Sequence, residues 1–63
     1  MWQENESAGM KKILIVDDDT DTCLLLSLLF NMKGYDTQVF YTGTDAILWL
    51  QQNKPELIIL DIM

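Results

Sequence analysis

The chain has 63 residues, of which 49% are hydrophobic and 22% charged. That is ordinary for a globular protein and too apolar for a disordered one, and the length excludes two domains or an enzyme with a deep enclosed pocket. Ten acids against four lysines, with no histidine, give a net charge of −6, a poor match for nucleic acid or anionic membranes and a better one for cations and basic protein surfaces.

Residues 1–10 carry Glu4 and Glu6 and no leading apolar run, so they read as a flexible polar tail rather than a signal peptide. No apolar run reaches the roughly 18 residues of a membrane span. Structure is expected from Lys11 onward. Ile13–Val16 is a short, continuous, β-branched run without alternation, which predicts a strand buried on both faces, as in parallel sheets. It runs into Asp17, Asp18 and Asp19.

The stretch Thr20 to Lys33 predicts a helix. Asp19 or Thr20 can cap its start, Asp21 suits the positive end of its dipole, and Gly34 supplies a left-handed stop. Its apolar arc, with Leu24, Leu25, Leu26, Leu28, Leu29, Phe30 and Met32, is wider than the stripe of an ordinary surface helix. This helix requires neighbours on more than one side. Cys23, the only cysteine, lies within it; it can form no internal disulfide and suits a reducing, cytoplasmic compartment as an inert thiol.

Tyr35 to Tyr41 alternates and predicts a half-exposed edge strand. Thr42-Gly43-Thr44 is a turn with Thr42 or Thr44 as a cap, and Asp45 to Asn53 predicts a second helix, stopped by Pro55. Tyr35, Phe40 and Trp49 read as packing residues. Leu57–Leu60 is a second continuous apolar run, doubly buried in character, ending in Asp61. The order β-α-β-α-β implies a parallel sheet with helices on both faces.

Sites of open α/β sheets lie at the carboxyl ends of the strands. Both apolar strands end there in aspartate, so Asp17, Asp18 and Asp61 converge if the strands are neighbours. Clustered carboxylates repel unless a cation joins them, and Mg²⁺ takes one or two protein carboxylates plus waters. Two other acidic motifs fail. An EF-hand loop starting at Asp17 needs Gly and Glu where Thr22 and Leu28 stand. The DxD nucleophile of haloacid-dehalogenase-like phosphatases fails at Asp21.

Lys12 to Asp19, the Lys33-Gly34-Tyr35 helix end, the Thr42-Gly43 turn before Asp45-Ala46, and Lys54 to Met63 together resemble the receiver domain of two-component response regulators. The similarity runs from about residue 11 to residue 63. It implies the amino-terminal half of a flavodoxin-like domain: a three-stranded parallel sheet in the order 2-1-3 with one helix on each face. It also implies Asp61 as the acceptor of a phosphoryl group from a histidine kinase or phosphotransfer protein. The module is then a phosphoacceptor, not an enzyme in its own right. Asp17, Asp18 and Asp61, with the backbone carbonyl of Met63, correspond to the Mg²⁺ ligands, and Asp19 to a third acid that is no usual ligand. The Ser/Thr and Lys that bind the phosphoryl oxygens in the family fall in the half beyond Met63. A truncated module with impaired transfer is therefore expected. The exposed third strand or the first helix is expected to drive self-association.

Overall fold

The computed structural model describes residues 11–61. The segment 1–10 and residue Met63, both assigned roles above, lie outside the described residues. Five elements follow in chain order: β1 Lys12–Asp17, α1 Thr20–Met32, β2 Asp36–Phe40, α2 Gly43–Leu50 and β3 Leu57–Asp61. The three strands are parallel and stand in the order β2-β1-β3. Register runs from Lys12 opposite Asp36 on one side of β1, and from Ile13 opposite Leu57 on the other.

Alternation along β1 builds two cores. Ile13 and Ile15 face α1 and pack with Cys23, Leu26, Phe30, Tyr35, Val39 and Ile59. Leu14 and Val16 face α2 and pack with Ala46, Phe40, Trp49 and Leu50. One helix therefore covers each face, and β1 is buried on both, as its unbroken apolar run requires.

The helix ends follow their sequence signals. The Asp19 carboxylate caps α1, accepting from the Asp21 amide at 3.0 Å and from the Thr22 hydroxyl at 2.9 Å. At the other end Tyr35 N–H donates to Phe30 O and Gly34 N–H to Asn31 O. This is the paired closure of a Schellman motif, with Gly34 at φ +94°, where a side chain is strained. Phe30 and Tyr35 meet edge to face across it at 6.0 Å. Thr42 caps α2 by accepting the Asp45 amide at 3.3 Å, so this helix begins two residues earlier than the sequence reading placed it. It ends at Leu50, and Asn53 Nδ2 closes the following turn onto Trp49 O.

The third strand departs from its sequence character. Leu57, Ile58 and Leu60 stay about half or more exposed, Leu60 at 67%, and only Ile59 packs into a core. The reason is position: among the described residues β3 is an edge, flanked by β1 on one side only. Between it and α2 runs an apolar groove of 350 Å³, lined by Leu14, Val16, Ala46, Leu50, Ile58 and Leu60 among others. On α1, Leu26 and Phe30 pack inward, while Leu24, Leu25, Leu28, Leu29 and Met32 are exposed. None of the described helices is long and apolar enough to cross a membrane.

Candidate functional site at the carboxyl end of the sheet

β1 and β3 finish level with one another, so Asp17 and Asp61 are register partners on adjacent strands. Adjacent strands lie about 4.8 Å apart and alternation puts register partners on the same face. Asp17 follows Ile15 and Asp61 follows Ile59, so both stand on the α1 side. Their settings differ. Asp17 is buried at 5% exposure, and its Oδ1 accepts the Asp19 amide at 2.9 Å. Asp61 is exposed and within reach of a reagent from solution.

The other two acids of the loop divide their work. The Asp18 side chain is exposed and makes no hydrogen bond to the described residues. Asp19 is committed to the helix: the Thr22 hydroxyl, then the Asp21 amide, hold its carboxyl below the ordinary carboxylate range. Its place beside the pair is thus explained by capping. Among the described residues no group of three or more His, Cys, Asp or Glu side chains is arranged to hold a metal ion. The structure brings Asp17 and Asp61 together, leaves Asp18 beside them at the rim, and turns Asp19 away to the cap.

Among the described residues no basic side chain forms a salt bridge at this end. The single salt bridge among the described residues, Lys12 Nζ to Asp36 Oδ2 at 2.9 Å, lies at the opposite end of the sheet, where Lys12 also stands 6.0 Å from the Trp49 ring. The donor set at the acidic end consists of hard oxygens, with two carboxylates in register and a third nearby. That fits Mg²⁺, which asks for one or two protein carboxylates and keeps several waters.

One contact at this site is not announced by the acids. The Cys23 thiol, the only fully buried side chain of α1, donates to the Asp17 backbone carbonyl at 3.3 Å. Burial pushes this thiol above its ordinary pKa, and the Asp17 charge adds in the same direction, so it stays protonated and able to donate. No sequence signal marked this contact, because the whole first turn, Thr20 to Cys23, is free of leucine.

Fold and acids together define a parallel α/β module with an aspartate site at the carboxyl ends of its central strand and that strand's neighbour. The family model described as the response regulator receiver domain matches residues 13–63, and the chain belongs to that family. The DNA-binding response regulator MtrA of Mycolicibacterium paratuberculosis is 36% identical over 53 residues, which is 84% of this chain and 24% of that protein. MtrA of Mycobacterium tuberculosis matches to the same 36%. The regulatory protein VanRc of Enterococcus gallinarum is 34% identical over 53 residues. The chain therefore spans about a quarter of the length of the curated relatives it matches. No solved structure matches it significantly.

Proposed function

We propose that this receiver module is a phosphoacceptor in histidine-to-aspartate signalling in the cytoplasm, with Asp61 as the accepting residue. The observation that carries this reading is the register pairing of exposed Asp61 with buried Asp17 at the carboxyl end of the sheet. An Asp61 carboxylate oxygen attacks the phosphorus of a phosphohistidine on a kinase or phosphotransfer protein. A P–O bond forms, the P–N bond breaks, and the imidazole leaves with the electron pair. Asp17, Asp18 and Asp61 would hold Mg²⁺, joined by the Met63 carbonyl that the family resemblance implies. When bound, the ion neutralises charge on the transferring group. Asp17, fixed by the Asp19 amide, supplies an oriented ligand, and Asp18 supplies an unengaged one.

Incubated with acetyl phosphate and Mg²⁺, the protein should gain one phosphoryl group by intact mass, and Asp61→Ala should gain none. No gain in the wild type, or a gain retained in Asp61→Ala, contradicts the acceptor assignment.

A second reading, self-association of the chain, has its own support. Exposed Ile58 and Leu60 of β3 line the apolar groove, and an apolar strand edge unpaired among the described residues is a template for another chain. Sedimentation should show a concentration-dependent dimer that Leu60→Lys dissociates. A folded monomer at all concentrations contradicts it.

A further inference from the structure

The geometry points to Cys23 as a positioning residue that holds Asp17 in place for the metal. This inference rests on the Mg²⁺ reading above and adds the residue that sets one ligand. Three bonds tie the end of β1 to α1. Asp17 Oδ1 accepts the Asp19 amide, Asp19 O accepts the Cys23 amide at 3.1 Å, and Asp17 O accepts the Cys23 thiol at 3.3 Å. Cys23 thus contributes two of the three donors, one from its backbone and one from its side chain. The backbone bond survives any substitution except proline, whereas the thiol bond belongs to this side chain alone. Asp17 is the last residue of β1, and beyond it the chain leaves the sheet, so its carbonyl direction is set locally. Cys23 is 0% exposed and packs on Ile13 and Ile15. Water therefore has no access to replace the donor, and losing it leaves the Asp17 carbonyl unpartnered and frees the following peptide to turn, which moves the Asp19 amide that holds the Asp17 carboxylate.

The test is calorimetric Mg²⁺ affinity of the full chain in four forms: wild type, Cys23→Ser, Cys23→Ala and Cys23→Val. Serine and alanine lose the same sulfur packing and differ by one donor, while valine fills the volume without a donor. A thiol–carbonyl bond is weak, so the expected loss in Cys23→Ala and Cys23→Val is about three- to fivefold, with Cys23→Ser within about twofold of wild type. Exchange of the Asp19 amide should quicken in the same two variants and not in Cys23→Ser. Should Cys23→Ala fail to fold, the Val–Ser pair decides. Equal affinity across the folded variants overturns the inference while leaving the metal site standing. A wild-type chain without Mg²⁺ binding that depends on Asp17 overturns the metal site and, with it, the role of Cys23.

Discussion

Strands β1 and β3 carry nearly the same apolar run, Ile-Leu-Ile-Val and Leu-Ile-Ile-Leu, and both end in aspartate. In the fold they part. Every residue of the first run is at most 2% exposed, whereas three of the four in the second are about half exposed or more. Hydrophobic content is therefore not what sets burial here. β1 has a strand on each side and a helix over each face, and β3 has one strand and a single packed residue, Ile59. The same contrast recurs in the acids: Asp17 inherits the burial of its strand, and Asp61 the accessibility of its own. A ligand is best held fixed and an acceptor best left reachable, so this asymmetry supports the roles proposed for Asp17 and Asp61.

The comparison can be broken by matched substitutions, largest effect first. Ile15→Ala should cost about 2–5 kcal/mol by urea unfolding, because it leaves a cavity between two strands and a helix. Leu60→Ala, the same kind of truncation on β3, should cost under about 1 kcal/mol, since most of that side chain already meets water. Equal losses at the two positions would mean that β3 is covered in solution. Gly34→Ala should cost about 1–2 kcal/mol through backbone strain alone, because a Cβ there meets no atom within 4 Å. Thr42→Ala, which removes the α2 cap, should cost about 1 kcal/mol.

The smallest effect sharpens the division among the acids. The carboxyl of Asp19 is held below its ordinary range by bonds that exist only in the folded chain. Its contribution is therefore complete above the unfolded value of about 4 and is lost as pH falls through the lower folded value. Helical circular dichroism should fall in that window for wild type and fall less for Asp19→Asn, which caps without titrating. Identical acid transitions would mean that the cap carries no pH dependence.

Much of this was legible in the residues. Gly34 after Lys33 announced the helix stop, and Thr42 was one of two caps named for α2. The unbroken Ile13–Val16 run announced a central parallel strand. The exposure of β3 was expected from the family resemblance and not from Leu57–Leu60 itself, because a run of that composition does not say how many neighbours it has. The start of α2 was misjudged because glycine, a poor helix former, opens it directly behind the Thr42 cap. In the site, the convergence of Asp17 and Asp61 was legible from the strand ends. The Cys23–Asp17 bond was not, because it depends on where the first turn of α1 settles against β1.

Whether Asp17 and Asp61 act as one site is decided by a double-mutant cycle on Mg²⁺ affinity, with Asp17→Asn, Asp61→Asn and the pair. Each single substitution should remove most of the affinity, and the double variant should be little worse than either. Full additivity, or single variants that bind Mg²⁺ as wild type does, would contradict it.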